Sequence, residues 1–414
     1  MKSAVLPGSI PVPEPDLTPR EMIERARRLQ PRVREEAAAA EKRGYYSQSL
    51  HEEFHKAGFY RILQPRRFGG YEFDIPTFFK VMIEIATADP GIGWCLCLGA
   101  GHSLMVAAHF SEKAQIELFG PAGDFIAPLS AGGSGRDCAA VAVEGGYRVS
   151  GTWRYCSGVP YSTHFIGAAK LTDEAGKKQT VLVVVPRGSY RILDDWGDIL
   201  GLRASGSNSV VIDEAIIPPE FISTTGMVHD VTKPTPGSLV HANPMYRIVF
   251  LAFAAGELVC SQVGAAKGAL ADFERIIRTT RPRYAPQMMK FEHHDWQRIF
   301  GLAMATTDAA EAVLLRSGEE IMELCRDNAA GTRPFNVAAA LRVQSMQHQA
   351  ARLAWEAGLE CYRAASSTSA KDGEPMQRFF RDLATFKSNA SHQPDFVAEQ
   401  TARAYFGLPA GFEF

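Results

Sequence analysis

Apolar residues fall at helical intervals up to about position 124, alternate along short runs to about 235, and return to helical intervals beyond. Thr18-Pro19-Arg20-Glu21 has the form of a capping box with proline at the first helical position, which predicts a long helix to about Lys42. A second box, Ser49 to Glu52, predicts a short helix. Phe78, Met82 and Ile85 continue the pattern at i, i+4 and i+7, and residues 92–118 are helical and apolar enough to be buried. Strands are expected at 125–127, 139–143, 147–153, 164–171, 180–185 and 209–212, with a tight hairpin turn at Gly145-Gly146 and further turns at 173–176 and 186–188. After Pro234-Thr-Pro236, helices are expected at 246–281, 287–326, 335–365, 375–390 and 393–406.

This order predicts an α+β chain built in layers rather than by βαβ alternation. The expected parts are an N-terminal helical domain over 1–123, with 1–16 as an extended arm, a central β-domain over 124–235 and a C-terminal helical bundle over 236–414.

Composition narrows the function classes. The chain has 414 residues, 46% hydrophobic and 22% charged, with a net charge of −2, the balance of an ordinary globular protein with no bias toward nucleic acid or anionic membranes. Its proline-rich start lacks an apolar core suited to a signal peptide, and no uninterrupted apolar run predicts a membrane span. Cys95, Cys97, Cys138, Cys156, Cys260, Cys325 and Cys361 are odd in number and form no C-x-x-C pair, which points to reduced thiols in the cytoplasm and away from structural zinc.

Familiar catalytic motifs fail their context tests. The glycine-rich runs at 132–135 and 201–206 do not join a strand to a helix in a βαβ unit, so no dinucleotide fold is expected. His293 and His294 are adjacent and point to different helix faces, which suits capping or solvation better than metal binding. There is no G-x-S-x-G elbow.

Two stretches carry a resemblance. SGTWRYCSG (150–158) and GLRASGSNSVVIDEAIIPPEF (201–221), set between helical blocks, resemble the acyl-CoA dehydrogenase superfamily, with Gly201, Leu202, Arg203, Gly206, Ser207, Val210, Asp213 and Pro218 matching its β-domain signature. The resemblance implies a central β-barrel or sandwich and a flavin between that domain and the C-terminal helices. The Tyr-Glu-Gly context of the dehydrogenases' base is absent, and their alternative base position falls at Ala254, with Glu257 only nearby. Trp153 to Gly158 instead resembles the Trp-x-x-x-Ser-Gly of reduced-flavin-dependent monooxygenases, the oxygenase components acting on p-hydroxyphenylacetate, steroid catechol precursors and dibenzothiophene. Trp94 with His102, and FFRDLATFKSNASHQPD at 379–395, resemble the same group.

That branch implies chemistry through a flavin C4a-hydroperoxide, with reduced FMN or FAD supplied by a separate reductase, O2 as co-substrate, a small aromatic substrate and a homotetramer. It implies that Ser157 donates its hydroxyl to flavin N5, that Trp94, Ser130, Cys156, Gly158 and Asn389 border the cofactor, and that Arg283 contacts its phosphate or ribityl groups from a neighbouring subunit. Ser366 and Ser367 would approach the flavin, His392 would act as acid or base, and His102, Tyr161, Asn389 and His392 would face the substrate. Simpler roles compete: a turn residue at Ser157, a helix cap at His392, a satisfied core histidine at His102 and an exposed helix-end arginine at Arg283. Arg381-Asp382 reads as a structural pair. Phenol hydroxylases of the group carry a histidine just beyond the Ser-Gly, where this chain has Val159 to Ser162, and another where it has Asn389, so the substrate class stays open. An acyl-CoA dehydrogenase and a non-catalytic flavin-fold assembly protein remain as alternatives.

Overall fold

Thr18 opens the first helix by accepting from Glu21 N at 3.3 Å while the Glu21 carboxylate returns to Thr18 N at 2.9 Å, so two end groups are satisfied reciprocally. The computed structural model of the protein describes residues 9–130, 138–172, 176, 178–225, 234–389 and 393–410. Six helices come first: α1 (Pro19–Arg43), α2 (Gln48–Ala57), α3 (Ile75–Ala88), α4 (Pro90–Ala100), α5 (Ser103–His109) and α6 (Glu112–Phe119). The cap of α2 is Ser47, two residues before the expected Ser49, because its side chain is the one that accepts from Leu50 N. The apolar stretch expected to be helical over 92–118 is three helices, broken at Gly101-His102 and at Phe110-Ser111. Pro90–His109 is apolar and long enough to cross a membrane, and all of it is buried in this fold.

Among the described residues eight strands follow: β1 (Leu129–Ser130), β2 (Ala139–Val143), β3 (Gly146–Trp153), β4 (His164–Thr172), β5 (Lys178–Pro186), β6 (Arg191–Ile192), β7 (Val210–Ile217) and β8 (Ile222–Ser223). They form one mixed sheet in the order β6-β7-β3-β2-β4-β5-β8, with β1 parallel to β4, so the β-domain is an open sheet whose ends do not pair among the described residues. The expected hairpin is there, with Val143 opposite Gly146. Residues 125–127 are not a strand, because Ala127 N donates to Gly99 O at the end of α4 instead of to a sheet neighbour. The expected turn at 173–176 and the glycine run at 132–135 include positions outside the described residues.

Five helices complete the chain: α7 (Leu251–Thr279), α8 (His294–Ala330), α9 (Val337–Ala365), α10 (Pro375–Lys387) and α11 (Pro394–Tyr405). They begin later than expected where 3-10 turns at Pro244–Arg247 and Lys290–Glu292 precede them. His293 caps α8 by accepting from Asp295 N at 3.2 Å, and His294 is exposed. α7, α8 and α9 pack on one another, and α3 crosses α7 closely because Gly264 meets Ala86 and Ile83 backbone with no room for a Cβ. All seven cysteines are buried free thiols. Gly264→Val is expected to force α3 and α7 apart and lower stability by about 2 kcal/mol, read as a lower urea midpoint with unchanged slope.

Candidate active site

β3 ends at Trp153, fully buried with its indole N–H donating to Ala168 O of β4 at 2.8 Å, so the chain leaves the sheet from a fixed point. It then turns sharply. Gly158 has φ +86, and a Cβ there would lie 2.7 Å from both Cys95 O and Gly99 N of α4. Only glycine serves at such a place. Gly158 N points at the carbonyls of Ser205 and Gly206, at 3.2 and 3.1 Å, which ties the turn to the GLRASG loop.

Next to that tie runs a line of three hydroxyls. Ser205 Oγ lies 2.6 Å from Ser207 Oγ, which lies 2.7 Å from Ser157 Oγ. Three hydroxyls carry three protons and make two links, so one proton is spare, either at an end or on the middle Ser207, which is itself only 5% exposed. Ser205 is 1% exposed and its side chain bonds only to Ser207 among the described residues, so a spare proton there would be buried without an acceptor. The favourable sense therefore runs Ser205 to Ser207 to Ser157, leaving the partly exposed Ser157 with an O–H to donate outward. Beside Ser207 opens a cavity of about 400 Å³ whose lining includes Thr152, Tyr155, Asp195, Trp196 and Ser209. The Trp196 indole N–H is buried and has no partner among the described residues. The Tyr155 ring meets it edge-on at 5.8 Å.

Other expected residues gather around this turn. Cys156 is buried behind Ser157, its Sγ bonding to Trp153 O and its thiol pushed up to about 12 by burial. Ser130 donates to Arg154 O at 3.4 Å. Trp94 lies in α4, the helix pressed on Gly158, and meets Phe386 of α10 edge-on at 5.9 Å. Asn389, just past α10, donates its backbone N–H to that same Phe386. His102 is wholly buried at the α4–α5 break, with Nδ1 2.7 Å from Ala127 O and Nε2 3.3 Å from Glu257 Oε1. Burial raises the Glu257 carboxyl above its ordinary range.

Four expected residues lie elsewhere. The Tyr161 hydroxyl donates to Tyr46 O at 2.8 Å, and its ring stacks on His51 at 4.2 Å and on Tyr46 at 5.1 Å, so it is spent on packing against the first helices. Arg283 is exposed on the α7–α8 link and has no bond or ion pair among the described residues; Ser366 and Ser367 are exposed on the α9–α10 link. The α7–α8 link and the start of α8 are tied to the end of α9, since Lys290 donates to Ala365 O at 3.0 Å and Trp296 to Ala364 O at 3.2 Å. His392 lies outside the described residues.

Ser205, Ser207, Trp196 and Glu257 were not foreseen in these roles. Ser205 and Ser207 stand inside the GLRASGS run already singled out, and Glu257 is a lone acid in an otherwise apolar helical stretch, which was the available signal.

Arg381 and Asp382 do not pair with each other. Asp382 accepts from Leu202 N at 2.5 Å, while Arg381 donates to Leu200 O and to Glu41, each at 2.8 Å, so α10 is fastened to the GLRASG loop and to α1. Around them Arg378 and Arg381 face three acids, Glu41, Asp89 and Asp382. Burial and the neighbouring Asp89 push the Asp382 carboxyl far up; Asp89 itself is raised to about 6 by burial.

Two family models match, the acyl-CoA dehydrogenase N-terminal domain over residues 18–122 and the acyl-CoA dehydrogenase C-terminal domain over 258–394, together more than half of the chain. The chain belongs to the acyl-CoA dehydrogenase family. Within the family it is similar to the flavin-dependent monooxygenase oxygenase subunit HsaA of Rhodococcus jostii, 27% identical over 393 residues, covering 94% of this chain and 98% of that one. It is also similar to the FADH(2)-dependent resorcinol hydroxylase oxygenase component of a Rhizobium strain, 28% identical over 361 residues and 85% of each chain. Among solved structures, XiaF from Streptomyces in complex with FADH2 and glycerol superposes with a TM-score of 0.82 at 22% identity, over 95% of this chain and 97% of that one. The acyl-CoA dehydrogenase fold thus places the Ser157 turn under α4, with α10 fastened to the same loop.

Asp382→Ala is expected to cost about 2 kcal/mol by stranding Leu202 N–H. Asp382→Asn, which keeps the acceptor for Leu202 N–H, is expected to stay within about 1 kcal/mol of wild type in urea unfolding at pH 7.

Proposed function

We propose that this chain is the oxygenase component of a two-component flavin monooxygenase that uses reduced FMN or FAD and O2 to hydroxylate a small aromatic substrate. The observation that carries this is the hydroxyl line from Ser205 to Ser157, whose middle member Ser207 lines the cavity walled by Trp196. These residues fit a flavin ring: a fixed O–H for a ring nitrogen, and a partnerless indole N–H beside an aromatic wall. When bound and reduced, the flavin would supply the electrons that activate O2.

The chain's residues would do the rest. Ser157 would hold flavin N5 through its outward O–H, its direction set by Ser207. The turn packed under α4 would keep water from the reacting edge. Asn389 and His392 would face the substrate, His392 as acid or base. Arg283, Ser366 and Ser367 would meet the phosphate end of a flavin held by a neighbouring subunit of a homotetramer, which their exposure on links tied together through Lys290 and the end of α9 supports.

A separate reductase follows because the GLRASG loop, the obvious glycine-rich candidate, spends its backbone on Gly158, Asp382 and Gly44 rather than on a nicotinamide phosphate. The buried thiols support a reducing, cytoplasmic setting. The acyl-CoA dehydrogenase reading lacks its base, since Ala254 stands at the alternative position and Glu257 is turned to His102.

Mixing reduced FMN or FAD, the protein, ¹⁸O2 and a panel of phenols is expected to give a hydroxylated product carrying one ¹⁸O. Oxidised flavin that stays bound and is bleached by acyl-CoA would instead establish the dehydrogenase, and absence of both reactions the assembly protein. Ser157→Ala is expected to raise the H2O2 released per reduced flavin about tenfold with little loss of fold, as loss of one fixed donor implies; an unchanged peroxide yield removes Ser157 from the chemistry.

A further inference from the structure

The two nitrogens of His102 are both committed. Nδ1 faces the Ala127 carbonyl at 2.7 Å, and a carbonyl only accepts, so Nδ1 carries a proton whatever the charge of the ring. Nε2 faces Glu257 Oε1 at 3.3 Å, and one proton is shared between them. His102 thus has no nitrogen left for a substrate.

Glu257 has an oxygen left. Its residue is 2% exposed, and Oε2 has no hydrogen-bond partner among the described residues. An unsatisfied carboxyl oxygen at that depth is costly and calls for a donor. Room for Oε2 is made by Gly101, where a Cβ would stand 2.7 Å from it. The surroundings are aromatic: Phe253 borders the same space, and Phe250 lies 5.9 Å from the His102 ring and 5.5 Å from Phe253. The Gly101-His102 break directly follows α4, whose Gly99 lies against the Gly158 carbonyl, so one short helix links this pair to the Ser157 turn.

We infer that Glu257 is a substrate-binding residue of this site, its Oε2 accepting from an O–H or N–H on an aromatic substrate, and that His102 is a positioning residue holding Oε1 from behind. This rests on the monooxygenase reading for where the substrate lies. A donor-bearing ring, phenol-like or indole-like, satisfies the orphan oxygen, and its O- or N-methylated analogue leaves that oxygen buried and unpaired. Discrimination between the two measures the contact.

The test is anaerobic calorimetric titration of the protein loaded with reduced FMN, using resorcinol against 1,3-dimethoxybenzene and indole against N-methylindole. Wild type is expected to favour at least one donor-bearing probe over its methylated partner by about tenfold or more, the usual cost of leaving a buried acceptor unpaired. Glu257→Leu is expected to abolish that ratio. Glu257→Gln, whose amide can donate to His102 Nε2 while its carbonyl faces the ring, is expected to keep most of it. His102→Phe should reduce the ratio without abolishing it. A purely structural Glu257 would change melting temperature and leave the ratio alone, so a wild-type ratio in Glu257→Leu overturns the assignment, as does the lack of any donor preference in wild type. ¹⁵N-histidine spectra add a readout free of substrate: His102 must be protonated at Nδ1, and an Nε2–H tautomer overturns the pair. Failure to form ¹⁸O-labelled product would count against the monooxygenase reading and not against the proton-sharing pair.

Discussion

Residues 201–207 hold the molecule together at its chemical centre. Gly201 lies on the Arg381 backbone of α10, Leu202 N is held by Asp382, Ala204 packs on Gly91 at the start of α4, Gly206 N donates to Gly44 O at the end of α1, and the carbonyls of Ser205 and Gly206 hold Gly158. Seven consecutive residues thus receive contacts from α1, α4, α10 and the Ser157 turn. Leu202 sits at φ +54, a conformation a leucine adopts at a cost of about 1 kcal/mol, and the buried Asp382 bond offsets it. Strain of this kind persists only where neighbours over-determine it.

That arrangement explains why a serine can be aimed. A lone serine on a loop samples three rotamers and donates where solvent permits. Here Ser157 follows a buried tryptophan, precedes a glycine wedged against α4, and has its hydroxyl in line with two others whose buried end allows one proton direction. The direction of the outer O–H is decided by the desolvation of Ser205, two hydroxyls away.

The order of helices and strands was legible because it follows from local periodicity, and the Gly145-Gly146 hairpin from turn chemistry. The Trp-x-x-x-Ser-Gly and GLRASGS runs were legible as a resemblance. What local pattern could not supply is partnership at a distance. Residues 125–127 look like a strand and fail to be one because Ala127 N–H goes to Gly99 in the first helical block and Ile126 N–H to the Thr163 hydroxyl. Tyr161 looks like a pocket residue and is taken up by His51 and Tyr46, more than a hundred positions earlier. Glu257 sits three positions past the expected base position, and its meaning depends on His102, 155 residues away. Arg381 and Asp382 read as a structural pair and both have structural roles, yet each bonds separately across the interface.

The seven buried thiols gain a chemical meaning once oxygen chemistry is placed in this fold. Peroxide attacks a thiolate far faster than a thiol. Burial pushes the thiols of Cys95, Cys97, Cys156, Cys325 and Cys361 upward, away from ionisation at neutral pH. Cys95 and Cys156 stand within the walls of the Ser157 turn itself. Where oxygen chemistry is done in this fold, the sulfur packed around the Ser157 turn is thereby held toward the thiol, the form that peroxide attacks more slowly.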